Sequence, residues 1–285
     1  MAQQHTATTY VLGHQDAELA RLEQQGRFLR GLTRDVLVRA GLREGMSVLD
    51  FGAGMGDVSL IAAEIVGPSG AVLAVDRAEV AAQRAQARFD ALGVRQASTR
   101  VGDERLVDEL AEAGGFDAVI GRLVLLHQPD PAATVARLAA AVRPGGVIAF
   151  HEIEISAGCW SEPRLPLLET VWGWIVEAFT SGGMVTDIGA RIAQGMDAAG
   201  LIEPCVVREG RVERGQGSDA TAWLARTAET LAPLIQARGI ATARQMMIDT
   251  LAARLHTEAV EAHGSFIPVF FSSAWARKPG CSHLE

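Results

Sequence analysis

Between residues 47 and 155 the sequence switches repeatedly between a short apolar run and a longer segment with helical spacing. The apolar runs are MSVLDFGAG, GAVLAVD, QASTRVGD, FDAVIGRLVLLH and VIAFHEIEI. Between them stand DVSLIAAEIV, AEVAAQRAQARFDALG, ERLVDELAEAGG and DPAATVARLAAAVRPGG, most of them closed by glycine or Pro-Gly. Continuous apolar runs belong to strands buried on both faces. Their alternation with helices specifies a parallel sheet with helices on both sides, an α/β doubly wound architecture. Right-handed crossovers then bring all strand C-terminal ends to one edge, which is where open sheets of this kind bind ligands.

The flanks extend this unit. Leu19, Leu22, Phe28, Leu29, Leu32, Val36 and Leu37 recur at helical spacing and predict a helix over 16–40. After residue 155 the pattern predicts helices at 164–181 and 188–200 and a strand near 202–213. Helices near 219–237 and 242–262 follow, then a last strand near 265–277. The expected organisation is an N-terminal helical lid over 1–45 and a ligand-binding core over 46–155. Residues 156–285 then complete the sheet and add a helical cap from 164–181 and 219–262.

The 285 residues carry a net charge of −8, which disfavours a nucleic-acid partner because phosphate binding needs a basic face. Cys159, Cys205 and Cys281 are widely spaced and odd in number. They form neither a disulfide framework nor a zinc motif, and they suit a reducing, cytoplasmic setting. The polar start MAQQHTATTY lacks the apolar stretch of a signal peptide, and no apolar run reaches membrane-span length. No metal ligand cluster is evident, and the expected partner is a small molecule. A homodimer is left open.

The chemistry-bearing motif is VLDFGAGMGDVSL, with glycines at 52, 54 and 56 directly after the first strand. Gly52 permits a sharp turn, and Gly54 lets backbone approach a ligand without a Cβ in the way. A dinucleotide fingerprint would be GxGxxG, opening onto a pyrophosphate. Here Asp57 stands where the third glycine belongs, and a carboxylate there opposes a pyrophosphate. A nicotinamide oxidoreductase is therefore the weaker reading.

Asp50 immediately precedes the turn, Asp76 ends the second strand in AVLAVDRA, and Asp103 follows the third in VGDE; FDAVIGRLVLLH and VRPGGVIAFHE come after them. In this order and spacing the chain resembles a class I S-adenosylmethionine-dependent methyltransferase. The N-terminal Tyr10, Val11, Leu12 and Gly13, followed by Gln24 and Gln25, resembles a subgroup acting on small molecules of quinone biosynthesis and natural products. The resemblance implies a Rossmann-like, mostly parallel seven-stranded sheet with its last strand antiparallel, and S-adenosylmethionine as cofactor. It implies cofactor contacts from Tyr10, Gln25, Asp50, Gly52, Ala53, Gly54, Asp76, Arg77, Gly102, Asp103, Glu104 and Arg122. Asp76 would take both ribose hydroxyls, since one carboxylate suits a vicinal diol, and Asp103 would accept from the adenine amino group. Both acids also stand where a helix N-cap would.

The methyl acceptor is expected above the ends of the fourth and fifth strands, near His127, His151 and Glu152. Successive strand residues face opposite sides, so only one of His151 and Glu152 can address it. Histidine is the better general base near neutral pH. Trp160, Trp172, Met184, Arg191 and Trp223 are the candidate acceptor contacts from the cap. The implied reaction is direct displacement onto an oxygen, nitrogen or carbon of a largely apolar or aromatic acceptor. A protein that binds the same cofactor without methylating, such as a cyclase or a regulatory partner, would share all the cofactor motifs.

Overall fold

A computed structural model describes residues 16–215 and 218–280, with the side chains of residues 16–24 and of Glu104 outside that description. The first half runs α1 (Asp16–Ala40), β1 (Ser47–Phe51), α2 (Asp57–Val66), β2 (Ala71–Asp76), α3 (Glu79–Ala91), β3 (Ala97–Val101), α4 (Glu104–Glu112), β4 (Phe116–Arg122), α5 (Pro131–Ala140) and β5 (Val142–Ile153). The second half adds β6 (Trp160–Glu162), α6 (Pro166–Ser181), α7 (Ile188–Ala198), β7 (Ile202–Glu209), β8 (Glu213–Arg214), α8 (Ala220–Ala237), α9 (Ala243–Met246), α10 (Ile248–Glu261), β9 (Ser265–Ile267) and β10 (Phe271–Arg277).

Seven strands form the main sheet in the order β3-β2-β1-β4-β5-β10-β7. β1 to β5 pair parallel, and β10 runs antiparallel to both β5 and β7. The chain turns from one half of the sheet to the other between β1 and β4, the switch point at which such sheets open a crevice.

Three differences from the sequence expectation have physical causes. The strand foreseen over 202–213 divides at Gly210, where a Cβ would stand 2.4 Å from Ile267 Cγ2. Its tail, Glu213–Arg214, leaves the main sheet and pairs with β9. The last strand divides at Pro268, which has no N–H to give a ladder. Its first part, β9, sits in a separate antiparallel sheet of order β6-β9-β8, and β6 had no sequence forecast. The helix foreseen over 242–262 breaks at Met247, whose φ of 45° is left-handed.

Helices α1, α2 and α3 pack one face of the sheet through Leu37, Ile61, Phe89 and Val48; α4, α5 and α7 pack the other through Val107, Leu138, Ile192 and Phe150. A further core joins α6, α8 and α10 to Phe28 and Leu29 of α1 and Phe271 of β10. Trp223 is fully buried there, stacked on Phe28 with ring centroids 5.6 Å apart. α1 thus belongs to two cores at once, with its middle in the cap and its C-terminal half on the sheet. Truncation of Trp223 to alanine is expected to cost about 3–5 kcal/mol. Urea denaturation measures this, and a loss well under 1 kcal/mol would contradict the packing.

Candidate functional site

The glycine turn is fixed by packing at two positions and open at the third. Gly52, Gly54 and Gly56 have φ of 70°, 54° and 78°. A Cβ on Gly52 would stand 2.3 Å from Val124 Cγ2, and one on Gly56 would stand 2.6 Å from the Phe89 ring. At Gly54 nothing lies within 4 Å of the Cβ position. The turn is anchored by Gly52 N–H and Ala53 N–H, which donate to Val75 O at 2.8 and 3.0 Å. Gly54 N–H donates to Asp76 Oδ2 and Ala78 N–H to Asp76 Oδ1, both at 2.8 Å. Asp76 therefore holds the turn against β2 rather than capping α3, whose N-cap is Ala78. Each of its oxygens keeps acceptor capacity for a ligand hydroxyl.

Behind the turn, a buried polar cluster lies between the sheet and α1. Asp50 accepts from Ser59 Oγ at 2.6 Å through Oδ2, while its buried Oδ1 has no partner. Burial pushes the Asp50 carboxyl up to about 7 despite the Ser59 bond. Asp57, in the first turn of α2, pairs with Arg88 at 2.7 Å and with Arg122 at 3.9 Å. Arg122 ends β4 with its side chain only 6% exposed. Its Nη1 donates to Thr33 Oγ1 of α1 at 3.1 Å, and Thr33 Oγ1 lies 3.1 Å from His151 Nδ1. Burial first, then the positive charges of Arg122 and Arg39, hold the His151 imidazolium down to about 3. The Phe271 ring sits 4.6 Å from the imidazole, centroid to centroid.

The general-base expectation for His151 and Glu152 gives way to other roles. A histidine so reluctant to protonate is a poor base near neutral pH. Glu152 faces the opposite side, as strand alternation requires. Its carboxylate accepts from the backbone N–H of Val124, Leu125 and Leu126 at 2.9, 3.1 and 3.4 Å. It therefore fixes the short turn after β4, and burial outweighs those three bonds to push its carboxyl up to about 7. On the same face Glu154 accepts from Ser156 Oγ and Ser272 Oγ, each at 2.5 Å, and from Gly189 N–H at 3.1 Å. That ties β5 to β10 and α7.

The remaining predicted residues divide. Gln25 is buried on α1, and Arg77 is exposed beyond β2. Asp103 caps α4, accepting from Arg105 N–H at 2.9 Å. Gly102 admits Leu106, whose Cδ2 would lie 2.3 Å from an added Cβ. His127 ends the turn after β4, half-buried. Trp172 and Trp223 are core residues with unpartnered indole N–H groups, and Met184 packs against the same core half-buried. Two acceptor-contact expectations are corrected. Trp160 lies exposed on β6 in the small sheet. Arg191 pairs with Asp187 at 3.4 Å on the surface of α7 instead of reaching inward. Asp187 itself stands at the α7 N-cap without a side-chain cap bond. Tyr10 lies outside the described residues, as does the side chain of Glu104.

Thr33, Ser59 and Ser273 had no sequence forecast. Thr33 left a trace, since it breaks the apolar stripe Leu29, Val36, Leu37, and Ser272-Ser273 interrupts the apolar run of the last strand. Among the described residues no group of His, Cys, Asp and Glu is placed to hold a metal ion, and no helix is long and apolar enough to cross a membrane.

The open side of Gly54, the amide-held carboxylate of Asp76 and the orphaned Asp50 Oδ1 fit a cofactor that offers a vicinal diol and an ammonium group. A family model described as a methyltransferase domain matches residues 42–178. Over these residues the chain is similar to a methyltransferase domain. Nocamycin O-methyltransferase of Saccharothrix syringae is 37% identical over 121 residues, 42% of this chain and 42% of its own. Arsenite methyltransferase of Aquipseudomonas alcaligenes is 32% identical over 123 residues, 41% of this chain and 35% of its own. The chain thus spans less than half the length of both relatives. Phosphoethanolamine N-methyltransferase 2 of Haemonchus contortus, solved with S-adenosylhomocysteine, superposes with a TM-score of 0.52 at 17% identity, covering 87% of this chain and 52% of that one. It shares the fold.

Two measurements check this geometry. Gly54→Ala is expected to cost only about 1–2 kcal/mol of stability, because the strain is local and no neighbour is struck. It should nonetheless weaken S-adenosylmethionine binding roughly tenfold or more in calorimetry, since the methyl group fills the ligand's side; unchanged affinity would place the ligand elsewhere. Glu152→Gln tests the buried carboxyl. A carboxyl whose folded pKa is raised to about 7 stabilises the fold below its unfolded pKa of 4.5 and loses that contribution as pH rises to 7. The stability of the glutamine variant relative to the parent should therefore rise between pH 4.5 and 7, by at most about 3 kcal/mol. A flat difference in urea melts across that range would refute the shift. His151 titrates in the opposite sense in both proteins and cancels in the comparison.

Proposed function

We propose that this protein transfers the methyl group of S-adenosylmethionine to an oxygen, nitrogen or carbon atom of a small, largely apolar or aromatic acceptor by direct displacement. The observation that carries the proposal is the open face of Gly54 beside the Asp76 carboxylate at the switch point of the sheet. When bound, the cofactor supplies an electrophilic methyl on a cationic sulfur. The chain's own part is alignment and the exclusion of water. Asp76 takes hydroxyl groups, Gly54 gives backbone room, and Asp50 Oδ1 accepts from a cationic end. Asp103 and Gln25 are further contacts, and Arg122 holds the cluster that shapes the pocket floor. The aromatic and aliphatic core of α6, α8 and α10, built on Trp172, Trp223 and Phe179, supports an apolar acceptor side.

Of the two named relatives, nocamycin O-methyltransferase is the better guide to the acceptor. Arsenic(III) is soft and seeks thiolates. Here Cys205 lies on β7 of the main sheet, whereas Cys159 precedes β6 of the small one, and burial pushes the Cys159 thiol up to about 11. The described residues offer no thiolate pair.

The test is S-adenosylhomocysteine release, followed chromatographically, from the full chain with S-adenosylmethionine and a panel of hydroxylated aromatic compounds. Turnover with at least one member is expected, with no competition from NAD. Asp76→Asn removes the charge and replaces one of the two oxygens that hold the turn by an NH2 that cannot accept, and should weaken cofactor binding roughly ten- to a hundredfold. NAD binding without any heat from S-adenosylmethionine would sink the reading.

A further inference from the structure

Ser273 stands directly opposite His151 in the antiparallel pairing of β10 with β5. Directly paired residues share a face, with Cβ atoms about 4.5–5.5 Å apart. That face is the one covered by α1. Both residues are at most 2% exposed. His151 Nε2 and Ser273 Oγ are both buried without a hydrogen-bond partner. Two such orphans side by side are unusual, because each forfeits the hydrogen bonds it would make in water.

The surrounding bonds and charges bear on which atoms carry protons. Arg122 has only N–H donors, so Thr33 Oγ1 accepts from it. Thr33 Oγ1 keeps one proton and a second lone pair, so toward His151 Nδ1 it can donate or accept; the Arg122 charge beside it favours the lone pair on Nδ1. With Nδ1 accepting, the single proton of a neutral imidazole sits on Nε2. Burial and the nearby Arg122 and Arg39 keep the ring neutral. His151 Nε2 is thus a donor without an acceptor, beside a serine hydroxyl in the same condition.

We propose that His151 Nε2–H and Ser273 Oγ–H form a two-donor cradle for an oxyanion of the methyl acceptor, which makes that acceptor an acidic phenol or enol bound in its ionised form. The inference rests on the methyl-transfer reading and deepens it. No base is required: Glu152 and Glu154 are committed on the opposite face, and Asp57 is held by Arg88 and Arg122. The cradle occupies two lone pairs of the oxyanion. A third forms the new carbon–oxygen bond as the carbon–sulfur bond breaks, with its electron pair staying on sulfur; the two opposite charges cancel and no proton moves. The groups that act on His151 are Thr33 and Arg39 from α1, Arg122 from β4 and Phe271 from β10. α1 covers the pair at Thr33, so admission of the acceptor requires this part of α1 to move.

The experiment uses the full chain saturated with S-adenosylhomocysteine, with cofactor binding first recorded by calorimetry. 4-Nitrophenol and related nitrophenols are then titrated in, alongside 4-nitroanisole as the neutral ether. The phenolate absorption band reports ionisation of the bound probe. We expect the bound probe to ionise about one pH unit or more below its free value, and the ether to bind much more weakly. Ser273→Ala and His151→Phe should each weaken phenolate binding roughly ten- to a hundredfold. His151→Gln keeps a terminal N–H near the Nε2 position and should recover much of the loss, which a purely structural role would not predict. Absent cofactor heat overturns the methyltransferase reading and this inference with it. Cofactor heat with no probe binding, an unshifted probe titration, or undiminished affinity in Ser273→Ala overturns the cradle alone.

Discussion

The buried guanidinium of Arg122 is the charge around which the site is arranged. A cation removed from water is costly unless paired and hydrogen-bonded. Here it is balanced by Asp57, Asp50 and Glu152 and bonded to Thr33. Those partners come from α2, β1, β5 and α1, so the one charge draws together every element that borders the switch point. It also sets the height of α1. Gly26 lies so close to Asp57 that a Cβ would stand 2.7 Å from the carboxylate. The helix is therefore pressed against the glycine turn at a residue with no side chain to intervene.

Strand alternation divides the polar residues of β5 between two tasks. Toward α1 it presents His151, whose ring is neutral and incompletely bonded. On the other side it presents Glu152 and Glu154, whose oxygens are spent on the turn after β4, on β10 and on α7. The second side gives the site its rigidity and the first gives it unmet hydrogen-bonding capacity. Carboxylates that look catalytic in the sequence FHEIE serve as fasteners, and the unmet hydrogen-bonding capacity lies on the other face.

The alternation of apolar runs and helices made the sheet and its ligand-binding edge legible, because burial on both faces leaves a continuous apolar signature. α1 was legible for a similar reason: its stripe from Phe28 to Leu37 is long and periodic. The small sheet was not. β6 and β8 are three and two residues long, too short for any period, and they pair with a segment far away in sequence. Within the site, Asp50 and Asp76 were visible because they border a glycine turn with a recognisable order. The partners of His151 were not, since Thr33 and Ser273 come from opposite ends of the chain and meet only through the topology. The bond between His151 and Thr33, on which the ring's tautomer depends, is recorded by no local pattern.

The C-terminal half of α1 rests on strands made much later. Arg39 lies over the Trp275 ring at 5.2 Å and pairs with Glu209, and Gly41 abuts the Arg277 guanidinium. α1 thus has its seat on β7 and β10, more than 160 residues downstream. During synthesis on the ribosome this helix leaves the exit tunnel with its docking surface still untranslated. Its C-terminal half has no seat until β7 and β10 have been made. β1, β2 and β4, which build the cofactor edge, are all translated well before that moment.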